Sequence, residues 1–170
     1  MDTETTGLIK NSLQPLERQP FIIEFFGLSH VHGSEVGEFY STFKQKLPLE
    51  KIITTITGIT DEKLFDAPWF TEKATAIKDF IEQHDEIVAH NMSFDKAMID
   101  FEMKRANLEV NWPTIICTVE STDYMKGHRL KLADLYELLF GEKFDGAHRA
   151  EVDVRALSKF FFQLREMGVV

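Results

Sequence analysis

Met1-Asp2-Thr3-Glu4-Thr5-Thr6-Gly7-Leu8 is the stretch on which the reading of this chain turns. Asp2 and Glu4 stand two residues apart, so on an extended backbone their carboxylates project from one face, close enough to repel each other. Such a pair calls for a cation between its members. Hard oxygen ligands suit Mg²⁺ or Mn²⁺, and Thr5-Thr6-Gly7 lets the chain turn away at once so that a substrate can approach. Two readings are open at this point: a metal-binding pair completed by carboxylates from elsewhere, or an acidic tail that is merely solvated.

Composition narrows the classes. At 170 residues and 44% hydrophobic, with no repeat, low-complexity tract or Pro/Gly/Ser-rich linker, the chain suits one domain over residues 1–170 with a core of its own. No apolar run reaches about 18 residues and the start is acidic, so neither a membrane partner nor a signal peptide is expected. Cys117 has no partner for an internal disulfide, which agrees with a reducing cytoplasm, and within Ile115-Ile116-Cys117 it reads as a small buried hydrophobe. Acidic residues outnumber basic ones 28 to 19, a formal charge of -9, which argues against static binding of duplex DNA by its phosphates. It does not exclude a nucleic-acid enzyme whose carboxylates are neutralised by divalent metals and whose substrate end is gripped by a few local cations. Lys126, His128, Arg129 and Lys131 form the densest basic cluster, either such a grip or a solvated loop.

Along the chain, a polar loop runs from Leu8 to about Gln19. Phe21–Leu28 reads as a buried strand, His32-Gly33 as a turn and Val36–Phe43 as a returning strand. Thr60 caps a short helix reaching about Phe65, and a helix is expected from about Thr71 to Gln83. Glu86–His90 is a strand, and Ser93 caps a helix in which Phe94, Ala97, Met98, Phe101 and Arg105 share a face. Thr114–Thr118 is a strand, Lys131–Phe140 a helix stopped by Gly141, and Glu151–Met167 the last helix. Strands alternating with helices in the second half imply parallel pairing; with an antiparallel first half the expectation is an α/β fold built on a mixed sheet.

The last helix carries an anomaly. Ala156, Leu157, Phe160, Phe161 and Leu164 lie on one helical face with Asp153, which puts a carboxylate on an apolar stripe. An unpaired buried charge costs several kcal/mol, so a compensating group is required: a metal shared with Asp2 and Glu4, or else a core arginine or a frayed first turn. His148 stands one turn earlier in Asp145-Gly146-Ala147-His148, within reach of the same site, and imidazole titrates near neutral pH. Asp95 occupies the first turn of the helix after His90-Asn91, where the helix dipole favours an anion, as an ordinary first-turn acid or a further ligand.

Asp2-Thr3-Glu4-Thr5-Thr6-Gly7-Leu8, then His90-Asn91-Met92-Ser93-Phe94-Asp95, then His148 with Asp153 five positions on, resemble the three ordered motifs of the DEDDh, or DnaQ-like, 3′–5′ exonuclease family, which includes proofreading subunits of bacterial replicative polymerases. Ile56–Thr60 and Leu139-Phe140-Gly141 extend the similarity over nearly the whole chain, and a histidine where the sister branch has tyrosine marks the h branch. The resemblance implies an RNase H-like mixed sheet flanked by helices and two divalent ions, Mg²⁺ or Mn²⁺. It implies Asp2, Glu4 and Asp153 as direct ligands, Asp95 as a ligand directly or through water, and His148 as general base. Thr5, Leu8, Asn91 and Phe94 match positions that touch the terminal nucleotide. The implied partners are a nucleic acid with a free 3′ end and a DNA polymerase. An exoribonuclease, or an inactive module that binds nucleic-acid ends, are the alternatives. Only Met1 precedes the first motif, so the first strand is expected to be truncated: either the natural chain starts upstream, or the domain manages with a stub that binds metal poorly.

Overall fold

The structure is a computed structural model that describes residues 1–11, 14–144, 146 and 148–170. Asp145 and Ala147, named above in the loop before the last helix, lie outside the described residues, as do Ser12 and Leu13 of the early polar loop.

Strand β1 (Asp2–Thr5) pairs antiparallel with β2 (Ile22–Val31), which pairs antiparallel with β3 (Ser34–Thr42). The apolar run becomes β2 because both of its faces are covered: alternation sends Phe25 into one core cluster and Phe26 into another. The hairpin turns at His32-Gly33, whose φ values of 49° and 80° suit a tight primed turn. β4 (Glu86–Ala89) and β5 (Thr114–Cys117) are parallel, joined by a crossover through helix α4 (Met92–Arg105). The α/β fold expected from the sequence is present, but among the described residues hydrogen bonding divides the strands into an antiparallel sheet, β1-β2-β3, and a parallel pair, β4-β5, rather than the one mixed sheet expected. The Met1 ammonium donates to the Val88 carbonyl at 2.7 Å, bringing the start of β1 against β4.

β1 is only 4 residues long. Its pairing reaches Phe26, so from Gly27 to Val31 β2 has β3 on one side and no partner strand on the other among the described residues. A groove of about 290 Å³ follows this edge, with Gly27, Leu28, Val88 and Leu157 in its walls. A Cβ at position 27 would overlap the Phe80 ring, so only glycine lets that ring pack on β2.

The helices partly depart from expectation. No element is assigned by pattern between Pro48 and Gly58, yet Lys51–Thr57 forms α1, ended by Gly58 at φ 68°. Its β-branched residues disfavour helix locally; packing of Ile53 with Leu49, Ile23, Ile59 and Leu64 outweighs this, and Thr55 and Thr57 return their hydroxyls to the carbonyls of Lys51 and Ile53. α2 (Asp61–Leu64) is capped by Thr60 as read, and α3 covers Phe70–Glu82. Asn91, not Ser93, precedes α4 as its cap residue, with φ 76°, and Ser93 lies in the first turn. The buried face of α4 is Met92, Asp95, Met98, Ile99, Glu102 and Met103; of the face read from the apolar residues only Met98 is fully buried. Two acids on the inward face, Asp95 and Glu102, rotate the stripe away from an apolar count. Glu102 is satisfied by the Ile22 N–H at 3.0 Å and Arg105 at 3.1 Å.

Helix α5 (Thr118–Thr122) and the 3₁₀ turn Asp123–Met125 have no counterpart in the sequence reading. α6 (Leu132–Phe140) ends at Gly141, φ 71°, as read. α7 (Ala150–Glu166) buries Asp153, Ala156, Leu157, Phe160, Phe161 and Leu164, and packs against Leu130, Leu135 and Tyr136. Cys117 is half-buried rather than enclosed, because β5 is exposed along its first residues. No helix among the described residues is long and apolar enough to cross a membrane.

Candidate functional site

Glu4, His148 and Asp153 each offer a ligand atom within 4.8 Å of the others, although they come from β1, the approach to α7 and the first turns of α7. Strand alternation puts Asp2 and Glu4 on one side of β1 and buries Thr3 and Thr5 on the other. Asp153 Oδ2 accepts the backbone N–H of His148 at 3.0 Å, which ties the histidine loop to the helix start; His148 itself has φ 68°, a left-handed conformation rare outside glycine. Asp153 Oδ1 is buried and without a hydrogen-bond partner among the described residues.

Asp2 and Asp95 stand outside that 4.8 Å group but inside its field. Asp95 is buried, and its Oδ1 accepts from the Thr3 backbone N–H at 2.9 Å and the Thr3 hydroxyl at 2.8 Å, which locks the start of α4 to β1. Burial, then the charges of Asp95, Glu4 and Asp153, hold the Asp2 carboxyl well above the usual carboxylate range. Burial pushes Glu4 up to about 8, helped by Asp153 and Glu24 and opposed by Arg149. Asp95 rises to about 6 through burial, restrained by its Thr3 donors, and burial also raises Asp153 against the His148 N–H. Like charges in a partly dry site cannot all ionise without a counter-charge.

The residues present fit a hard divalent cation. Oxygen ligand atoms dominate, one buried carboxylate oxygen has no hydrogen-bond donor among the described residues, and the acids repel each other's ionisation.

Sequence reasoning missed Glu24 and Arg149. Glu24 lies directly across from Glu4 on β2, fully buried, and accepts from Arg149 Nη2 at 2.9 Å, the Ala150 N–H at 3.0 Å and the Tyr40 hydroxyl at 3.1 Å. It therefore clamps the N-terminus of α7, and with it His148 and Asp153, onto the sheet. A signal was present: an acid inside the apolar run Phe21–Leu28 is the same anomaly as Asp153 on its stripe.

Thr5 is buried, with its hydroxyl on the Gly7 carbonyl at 2.8 Å. Leu8 is 81% exposed, an apolar side chain held in solvent just past β1. Asn91 Oδ1 accepts from Arg129 Nη2 at 3.1 Å and from the Ser93 hydroxyl at 3.4 Å. Phe94, in the first turn of α4, is half-buried.

Comparison with known proteins gives the family and the fold. The family model described as Exonuclease, RNase T, matches residues 1–161. DNA polymerase III subunit epsilon of Pasteurella multocida (strain Pm70) is 35% identical over 123 residues, covering 72% of this chain and 47% of that protein. The chain thus spans less than half the length of the curated relative. Among solved structures, Exonuclease X in complex with 5′ overhanging duplex DNA superposes with a TM-score of 0.68 at 22% identity, over 98% of this chain and 89% of that one. The nuclease domain of 3′hExo, a DEDDh family member bound to rAMP, superposes with a TM-score of 0.77 at 16% identity, over 99% of this chain and 90% of that one. The solved 3′hExo domain, a DEDDh family member, shares the fold, and the family model matched over residues 1–161, with a relative 35% identical over 72% of the chain, makes this chain a member of the RNase T exonuclease family.

Proposed function

We propose that the chain is a metal-dependent 3′–5′ exonuclease that removes 5′-mononucleotides from the 3′ end of DNA, single-stranded or mismatched, in replication proofreading or repair. The observation that carries the reading is Asp153: its buried Oδ1 has no donor among the described residues, and one of its carboxylate oxygens lies within 4.8 Å of ligand atoms of Glu4 and His148. Asp2, Glu4, Asp95 and Asp153 would hold two Mg²⁺ or Mn²⁺ ions. Bound there, the ions supply charge neutralisation on the phosphoryl oxygens and a water acidic enough to be activated near neutral pH.

This chain's own residues do the rest. His148 takes the proton of the attacking water at an imidazole nitrogen; the water oxygen forms the new bond to phosphorus while the bond from phosphorus to the preceding 3′ oxygen breaks, and that oxygen is protonated. The His148–Asp153 hydrogen bond and the Glu24 clamp keep the imidazole beside the carboxylates. Thr5, Leu8, Asn91 and Phe94 contact the terminal nucleotide, and the exposed Leu8 offers its base an apolar surface to rest on. A DNA polymerase is the partner that the epsilon relative's name supports.

A second reading keeps this chemistry and takes RNA. Full-length superposition on a nuclease domain bound to rAMP favours it, and the choice depends on a contact to the 2′-hydroxyl. Single-stranded DNA, mismatched duplex and RNA, each 5′-labelled and offered with Mg²⁺, Mn²⁺ or EDTA, decide among the readings. Metal-dependent shortening of DNA ahead of RNA is expected; RNA ahead of DNA selects the second reading, and no metal-dependent shortening of any substrate leaves an end-binding module.

A further inference from the structure

The chain is acidic, at -9, yet a nuclease must hold a polyanion. Among the described residues Lys78, Lys96, Arg105, Lys143, Arg149, Arg155, Lys159 and Arg165 pair with carboxylates, and the other 11 of its 19 Lys and Arg do not. Lys126, Arg129 and Lys131 are three of these. They lie within one short loop, all are exposed, and none forms an ion pair among the described residues.

This loop is not a solvated strand of chain left to itself. It turns at Gly127, φ 70°, and Leu130 is buried in the cluster between α6 and α7. His90, at the end of β4, bonds the Leu130 carbonyl through Nε2 at 3.0 Å and the Thr118 hydroxyl through Nδ1 at 2.9 Å. Burial pushes the His90 imidazole down to about 4, so that anchor stays neutral across the physiological range. One residue on, Arg129 donates to Asn91 Oδ1 at 3.1 Å. Asn91 has φ 76° and opens directly into the helix turn that carries Asp95. Unpaired cations are therefore docked, by two side-chain bonds, to the strand end from which the candidate site is built.

We propose that Lys126, Arg129 and Lys131 form a phosphate-contacting ledge that takes the sugar–phosphate backbone of the substrate strand on the 5′ side of its terminal nucleotide, independent of base sequence. The ledge deepens the 3′-end reading above and rests on it. Arg129 presents the guanidinium fork that suits phosphate oxygens, and its bond to Asn91 ties that fork to the residue preceding the helix that carries Asp95. Binding to the ledge releases counterions, so substrate affinity falls with salt by about 0.7 log units per log unit of salt for each phosphate contact to a single strand.

The test compares the full chain with the triple variant Lys126→Ala/Arg129→Ala/Lys131→Ala and with Lys104→Ala, an exposed lysine near the far end of α4. KM for a 5′-labelled single-stranded oligonucleotide is measured in Mg²⁺ across about 25 to 200 mM NaCl. The triple variant is expected to lose roughly two units of the log KM against log salt slope and to raise KM on the order of tenfold at low salt, while Lys104→Ala keeps the wild-type slope. Arg129→Lys should keep most of the slope. A triple variant with wild-type slope and KM, and unchanged melting temperature, overturns the ledge. If the wild-type chain shortens no oligonucleotide, the nuclease reading fails by itself. The same variants, read by anisotropy of the labelled strand, then decide the ledge: equal salt slopes for wild type and triple variant overturn it, and a lost slope upholds it.

Discussion

Asp153 concentrates the chemistry of this site in one side chain. Its Oδ2 holds the His148 backbone, and its buried Oδ1 has no donor among the described residues, a cost that folding accepts only if something else compensates it. His148 is the neighbour whose role is sharpest to test. His148→Ala should lower kcat roughly 10²–10⁴-fold with little change in KM. Because the imidazole also lies within ligand distance of Glu4 and Asp153, the Mg²⁺-induced rise in melting temperature is the second readout. Retention of that rise in the variant identifies a base, and its loss identifies a ligand.

At the scale of elements, the start of α7 reaches its place through Glu24. This buried acid receives donors from Arg149, Ala150 and Tyr40, so β2, β3 and α7 meet on one carboxylate. Glu24→Ala strands the Arg149 guanidinium and an N–H of the first helical turn. Arg149 is partly exposed, and the expected loss is about 3 kcal/mol in urea unfolding, at the low end for a buried pair, with a lower kcat because His148 and Asp153 drift. Glu24→Gln keeps an acceptor for the Ala150 N–H and should recover part of both. Wild-type unfolding by Glu24→Ala would remove the clamp from the account. The contact between β2 and α3 is equally specific: Gly27→Ala pushes a methyl group into Phe80, costing about 1–3 kcal/mol, and Phe80→Leu in the same chain should restore part of it. Additive losses in the double variant would show that the overlap is relieved elsewhere.

Over the whole molecule, the gathered carboxylates link stability to pH and metal. Glu4 goes from an ordinary 4.5 to about 8 on folding, and burial moves Asp2, Asp95 and Asp153 in the same direction. Between the unfolded and folded values the folded chain keeps protons that the unfolded chain has released. Their stabilising contribution is therefore complete below the unfolded values and lost as pH rises through the folded ones. In EDTA the melting temperature should fall between about pH 5 and pH 8. Mg²⁺ held by the ionised carboxylates would take the place of those protons, so its stabilisation should be larger at the upper end of that window. Thermal melts at both ends, with EDTA and with saturating Mg²⁺, measure it; an equal Mg²⁺ shift at both would disconnect these acids from the metal.

Much of this was legible in the linear chain. Period-2 and helical patterns locate β2, β3, β4, β5, α3, α6 and α7 to within a few residues, and acids at improbable positions mark Asp2, Glu4 and Asp153 as residues in need of a counter-charge. Where burial comes from distant partners, the pattern misleads. α1 is helical against its β-branched composition because Ile23, Ile59 and Leu64 pack on it, and α4 turns two acids inward because Thr3, Ile22 and Arg105 are there to receive them. Sequence alone determined which side chains are the candidates for the chemistry and in what order they come, since residue type and local spacing are properties of the chain. Only the tertiary structure decided that Glu24 clamps Arg149 across 125 residues, and that a basic loop is pinned beside Asn91. Both depend on which surfaces meet when the sheet and helices close on one another, and no local period encodes that meeting.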